Sequence, residues 1–247
     1  MTSPRSLLVV LPLLVVSSAA LAGSKCPECP PPAPCPTCPE PPKLNTSPDK
    51  AAGEAAGVAD LAMVTGLIDW ARDNKSPEAL ATAAQILSNL GAAATEREKT
   101  VEEGTGEEAA KTGPELVLDA AVLLAEAQAL ATELKLKNLS KHLAAVVLGN
   151  RGAVGGPKYT VERVNAYDTD FYVLPFEGMA TAMVAISGDG DTDLDLRVYD
   201  ENGNQVASDL GSTDKASVTF TPAWTGNFRV EVKNLGGVYN QYTIITN

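Results

Sequence analysis

The hydrophobic period changes once along this chain, at a glycine-rich break, and that change limits the fold more than any other feature. Before "GNRGAVGGP" (Gly149 to Pro157) apolar residues recur every three to four positions, and after it they recur every two. The first period lines one stripe of a helix, and the second lines one face of a strand. The chain is therefore expected to be multidomain, α then β. A small antiparallel α-helical bundle would occupy residues 47–150, a glycine-rich linker 151–156, and an all-β antiparallel sandwich of jelly-roll-like form 157–247.

In the helical part, "ADLAMVTGLIDWARDN" sets Leu61, Val64, Leu67 and Ile68 on one stripe. A second helix starts with Ser76 as N-cap, Pro77 at the first helical position and Glu78 near the positive end of the dipole, and stops at Gly91. A third is expected to start at Pro114 and Glu115. A fourth, "NLSKHLAAVVLGN", would bury Leu139, Leu143, Val146 and Val147. Between the second and third, "TEREKTVEEGTGEEAAKTG" is charged and glycine-punctuated, and reads as a mobile loop.

Beyond the break, "KYTVERV", "TDFYVLPFE", "TAMVAIS", "DLDLRVYD", "NQVASD", "ASVTFT", "NFRVEVKN" and "YNQYTIIT" alternate apolar and polar residues. Many short strands with no helical gaps predict an antiparallel sandwich. In "DLDLRVYD", Leu194, Leu196 and Val198 share one face, while Asp193, Asp195, Arg197 and Tyr199 share the other. "DENGN" (Asp200 to Asn204) reads as a tight hairpin. The preceding "GDGDTD" crowds Asp189, Asp191 and Asp193 at the entry to a strand. An EF-hand fails here, because its sixth position would be Leu194 where the turn requires glycine. Calcium could still relieve the carboxylate repulsion, with backbone carbonyls or Asp209 and Asp214 completing the shell, and a solvated acidic turn is the alternative. Trp224, Tyr239 and Tyr242 can each either stack on a ligand or plug the sandwich.

The stretch "GDGDTDLDLRVYDENGNQVASD", followed by "VTFTPAWTGNFRVEVKNLGGVYNQYTI", resembles the bacterial pre-peptidase C-terminal domain. The matching positions are Asp193, Asp195, Leu196, Val198, Tyr199, Asp200, Gly203 and Asn204, then Pro222, Gly226, Phe228, Val230 and Val232. The resemblance covers about residues 157–247. It implies a β-sandwich accessory module without catalysis, in some relatives calcium-binding and attached to polymers such as collagen or polysaccharide. A protease neighbour of the kind usual in that family is absent from this sequence.

At the N-terminus one basic residue, the apolar run "LLVVLPLLVV" and the small-x-small triplet Ala20-Leu21-Ala22 read as a signal peptide over residues 1–22. The run is too short to span a bilayer, so no membrane span is expected after cleavage, and the protein is expected to be secreted or periplasmic. Removing that segment takes away Arg5 alone, leaving 18 basic against 31 acidic residues, a charge of −13. Such a surface repels nucleic acid and anionic lipid.

Residues 23–46 form a Cys/Pro-rich extended linker in which Cys26, Cys29, Cys35 and Cys38 alternate with nine prolines between Cys26 and Pro42. Polyproline II would hold Cys29 and Cys35 about 19 Å apart, which disfavours one zinc ion. Disulfides between two chains, giving a homodimer, or within one chain are the expected fates after export.

Catalytic patterns are missing. Neither G-x-S-x-G, H-E-x-x-H nor a P-loop occurs. His142 is the only histidine, and reads as structural. Glu115, Asp119, Glu126 and Glu133 read as a solvated stripe. The sequence thus predicts a non-catalytic binding or accessory protein whose partner is an extracellular polymer or an envelope protein. A structural envelope protein assembling through its helices and stalk is the first alternative. A hydrolase working through surface carboxylates is the second.

Overall fold

A computed structural model describes residues 43–48, 55–112, 116–149 and 156–247. The expected signal peptide and the four cysteines lie outside the described residues. From Pro41 to Asn247 the chain forms one compact unit.

Eight strands follow the glycine-rich break: β3 (Lys158–Val164), β4 (Thr169–Phe176), β5 (Ala182–Ser187), β6 (Leu194–Tyr199), β7 (Gln205–Asp209), β8 (Lys215–Phe220), β9 (Gly226–Asn234) and β10 (Asn240–Thr246). Two short strands precede them, β1 (Ala93–Ala94) and β2 (Lys99–Glu102). One sheet has the order β1-β3-β10-β5-β8, and the other β2-β4-β9-β6-β7. Taken alone, the eight later strands follow jelly-roll order, crossing between sheets at every connection except the β6–β7 hairpin. All pairings are antiparallel except β1 with β3.

Leu194, Leu196 and Val198 are fully buried between the sheets with Tyr172, Phe228, Val230, Val232, Tyr242 and Ile244. Edge strand β8 shows clean alternation, with Ala216, Val218 and Phe220 inward and Lys215, Ser217 and Thr219 outward. Central strand β10 does not alternate: Tyr242 to Thr246 are all buried. Both of its faces are covered, and a doubly covered strand reads as a continuous apolar run.

The second cover is helical. Helices α1 (Ala56–Asp73), α2 (Pro77–Leu90), α3 (Ala120–Glu133) and α4 (Lys137–Leu143) succeed one another, and α1 packs on β5 and β10. Val58, Leu61, Val64, Ile68 and Ala71 of α1 share one apolar cluster with Ala185 and Ile245 from the outer face of the first sheet. The helices expected as a bundle therefore form a layer whose core continues into the sheet. Small side chains on α2 and α3 (Ala81, Ala83, Ala84, Ala127, Ala131) let that layer close tightly.

Local signals explain most helix ends. Ser76 accepts the Ala79 N–H at 3.3 Å and Pro77 opens α2, while Gly91 ends it at φ +63°. The third helix begins at Ala120, later than the expected Pro114 and Glu115, which lie outside the described residues. Asp119 is its N-cap, accepting from Ala121 N (2.8 Å) and Val122 N (2.9 Å). The chain just before it is held extended along the first sheet, where Leu116 N donates to Gln241 Oε1 and Tyr159 Oη donates to Leu118 O. The fourth helix stops at Leu143, so Val147, expected in its buried face, is 89% exposed.

The stretch read as a mobile loop is the largest correction. It carries β2 and, just before it, the chain forms β1, so one segment adds an edge strand to each sheet. Arg97, between the two edge strands, fastens the segment to β3 and β10 of the first sheet, donating to Thr160 Oγ1 (2.8 Å), Ile244 O (3.0 Å), Lys158 O (3.2 Å) and Thr246 Oγ1 (2.9 Å). Lys99 Nζ reaches Asp170 Oδ2 at 2.9 Å, Arg163 O at 2.6 Å and Glu162 at 3.0 Å. Its strand is stabilised by charge rather than by alternating apolar residues, and it covers an edge that would otherwise stand bare.

Candidate functional site

All five aspartates singled out in the sequence come to the same end of the sandwich, Asp189, Asp191 and Asp193 on the β5–β6 connection, Asp209 at the end of β7 and Asp214 on the β7–β8 connection. The two connections are tied together by Gly188 N donating to Asp214 O (2.9 Å), Leu194 N donating to Thr213 O (3.2 Å), and Gly190 N donating to the Asp214 carboxylate. A Cβ at position 188 would stand 2.4 Å from Asn240 Oδ1 and 2.6 Å from Asp214 Oδ2, so only glycine lets the loops close. Asp189 Oδ2 also accepts Gln241 N at 3.0 Å.

What lies among these carboxylates is a lysine. Lys111 Nζ stands 2.5 Å from Asp189 Oδ2, 2.7 Å from Asp191 Oδ2 and 3.0 Å from Tyr239 O, over the Tyr239 ring at 4.5 Å. Desolvation would lower its pKa, but the hydrogen bonds it donates to Asp189 and Asp191 outweigh that and raise the ammonium above the usual lysine range. Asp193 is pushed up by desolvation, with Asp195 and Asp214 adding repulsion. Asp209 is turned to a different task, accepting Ser217 N at 2.9 Å where the chain crosses between sheets. Among the described residues no group of three or more His, Cys, Asp or Glu side chains is disposed to hold a metal ion. Beside this loop, α1 and the sandwich enclose a cleft of about 490 Å³ lined by Asp69, Arg72, Lys111, Asp191 and Lys215. Lys215 pairs with Asp69 at 3.0 Å across it.

The opposite end is organised by Asp200. Its buried carboxylate accepts Asn45 N (2.8 Å), Asn202 N (3.0 Å), Asn204 N (2.8 Å) and Asn204 Nδ2 (2.9 Å). Desolvation raises its pKa, and these four donors more than offset that and hold it below the usual carboxylate range. Gly203 supplies the turn at φ +82°. Asn45, fully buried, accepts Trp224 N at 3.0 Å and donates to Glu201. Trp224 itself is 38% exposed, with its indole N–H on Glu201 Oε1 at 2.5 Å, so its edge is held while part of the ring faces solvent. In the sequence nothing local marks Asn45 as the residue that anchors the entering chain.

Between the ends lies the third feature, which the strand pattern contained without naming. Because Tyr172, Phe228, Val230 and Val198 point inward, their neighbours point outward from the second sheet. Register places Val173, Arg229 and Tyr199 in one row and Phe171, Glu231 and Arg197 in the next. Arg229 lies 4.7 Å from the Tyr199 ring and 5.7 Å from the Phe171 ring, and pairs with Glu231 at 2.9 Å. Val173 is 66% exposed. No described helix packs on this face, whereas the outer face of the first sheet lies under α1.

The other sequence candidates resolve as follows. Tyr242 is a core residue, fully buried, its hydroxyl donating to Asp170 Oδ2 at 2.7 Å and sharing a hydrogen bond with the Tyr172 hydroxyl at 2.5 Å. Tyr239 is a platform for Lys111 and for Arg163, whose guanidinium lies 3.9 Å from the ring. Of the carboxylate stripe, Asp119 caps α3 and Glu126 holds Arg72 in a two-point pair at 2.9 and 3.0 Å, while Glu115 lies outside the described residues. His142 is exposed on α4. No described helix is long and apolar enough to cross a membrane.

No family model matches the chain, and no curated protein matches it. Among solved structures, the chain is similar over 37% of its length to PliG of Aeromonas hydrophila, a periplasmic lysozyme inhibitor of g-type lysozyme, at 11% identity, 84% of that chain and a TM-score of 0.29. The pre-peptidase C-terminal domain of a collagenase from Bacillus anthracis matches 37% of this chain and 76% of its own, at 10% identity and a TM-score of 0.22. The C-terminal CBM6 of LamC, a marine laminarinase from Zobellia galactanivorans, matches 35% of this chain and 88% of its own, at 10% identity and a TM-score of 0.22. At such identities and scores none of them assigns an activity or a ligand to this chain.

Proposed function

We propose that this is an exported, non-catalytic accessory protein that contacts an extracellular or periplasmic ligand through the open face of its second sheet. The observation that carries the reading is the row Val173–Arg229–Tyr199 with Phe171 beside it, left uncovered while α1 covers β5 and β10 of the opposite sheet. Aromatic rings and a guanidinium on a rigid ladder supply contact area with little entropy to lose on binding. The Cys-Pro segment would set the reach of this face from its attachment, or join two chains through disulfides. A pull-down of the mature chain, residues 23–247, on peptidoglycan, β-glucan, collagen and g-type lysozyme tests the reading. Binding weakened about tenfold or more by Tyr199→Ala or Arg229→Ala is expected. Uniform absence of binding would count against it.

A second reading, assembly of the protein with itself, has one observation in its favour. Met63 and Trp70, seven residues apart on α1, are 50% and 54% exposed on the side away from the sheet. Light scattering on the mature chain under reducing conditions separates the two, since only self-assembly would be lost with Trp70→Ser.

A further inference from the structure

The acidic loops resemble a calcium site in composition and differ from one in content. Three oxygens, Asp189 Oδ2, Asp191 Oδ2 and Tyr239 O, surround a point at 2.5, 2.7 and 3.0 Å, and that point is Lys111 Nζ. An oxygen cradle of this kind suits a hard cation. The ammonium satisfies it with one charge and leaves capacity unused: the second oxygen of Asp189, Oδ1, is buried and makes no hydrogen bond within the chain. Lys111 side-chain exposure is only 11%, so water does not screen the contact as it would an open surface pair.

The lysine is also delivered, rather than free to leave. Its segment is fixed on one side by Ala109 N donating to Gly237 O at 2.8 Å and on the other by Leu116 N donating to Gln241 Oε1 at 2.8 Å. Glu108 adds a pair with Arg163 at 2.9 Å and accepts Ala166 N at 3.1 Å. A cation tethered at both flanks acts at a high effective concentration, against which a dissolved ion competes poorly.

We infer that Lys111 is a built-in cation occupying the place a divalent ion would take between Asp189 and Asp191, so that this end of the sandwich closes without metal and gains a calcium site only when the lysine is removed. The device would make an exported protein indifferent to the calcium level around it. It also fastens the segment that carries β1 and β2 across the end of the sandwich.

Thermal melting of the mature chain in EDTA and in millimolar calcium chloride tests this. The wild type is expected to melt at the same temperature in both, and Lys111→Arg likewise, because the charge is kept. Lys111→Met is expected to melt several degrees lower in EDTA and to regain stability with calcium, less so with magnesium, which demands tighter octahedral geometry. Adding Asp191→Asn to Lys111→Met should abolish the calcium response and so locate it. A wild type stabilised by calcium, or a folded Lys111→Met protein indifferent to it, would overturn the inference. If Lys111→Met folds in neither condition, the wild-type and Lys111→Arg measurements decide it alone.

Discussion

Asn45 donates its backbone N–H to Asp200 Oδ2 at 2.8 Å, joining the chain that enters the fold to a hairpin 155 residues later. Three further donors from Asn202 and Asn204 complete the carboxylate's partners. Asp200→Ala would leave these buried donors unmatched and is expected to cost about 3 kcal/mol, read by urea unfolding. The charge has a pH signature. The folded pKa of Asp200 lies below the unfolded value of about 3.9, so its contribution is present above that value and is lost as the pH falls through the folded pKa. Acid unfolding of Asp200→Asn should begin from a lower stability and show a shallower decline below about pH 4.

Lys99 is the counter-ion of Asp170, a carboxylate 1% exposed inside the sandwich. Its second oxygen has no hydrogen-bond partner within the chain. Removing the cation with Lys99→Met should therefore cost about 3 to 5 kcal/mol at neutral pH. Desolvation already raises the Asp170 pKa, against the lowering effect of Lys99 and Tyr242, and loss of the lysine raises it further. A raised acid takes up its proton more readily in the folded chain, so the penalty is absent at low pH and grows as the pH rises above the unfolded value. Lys99→Met should accordingly recover stability relative to wild type as the pH falls from 7 toward the unfolded value of about 3.9, as measured by melting temperature.

Ile245 is fully buried on the outer face of the first sheet, in one cluster with α1 and α2. Ile245→Ala should cost about 2 to 4 kcal/mol through lost contact and the cavity left behind. Because helices and sheet share this cluster, wild-type unfolding followed by far-ultraviolet circular dichroism and by tryptophan fluorescence should give coincident transitions. Two separated transitions would mean that the helical layer and the sandwich hold their cores independently.

The strands after Gly149 were legible because apolar residues recur in the sequence with a period of two, although in β10 a second cover buries both faces, Ile245 included. The edge strands β1 and β2 were not, because their stabilisation comes from Arg97 and Lys99 meeting groups 61 to 149 residues away. A charged run shows its charges locally, but it does not show which of them will find a buried acid. The same holds for the acidic loops. Asp189 and Asp191 were recognisable as crowded carboxylates, to be relieved by a cation or by solvent, while Lys111 sat in a segment with no visible structure of its own. Asn45 illustrates the third limit, since its buried hydrogen bonds are made with a hairpin 155 residues away.

Hydroxyl-radical footprinting of the mature chain, alone and bound to whichever polymer or protein the pull-down selects, reads the open sheet face directly. Alone, Phe171 and Tyr199 should be oxidised while Tyr172 and Tyr242, both fully buried, stay unmodified. On binding, Phe171 and Tyr199 should become protected. Protection confined to Trp224 and Met179, or to Met63 and Trp70, with Phe171 and Tyr199 unchanged, would place the contact elsewhere and contradict the assignment of the second sheet as the binding face.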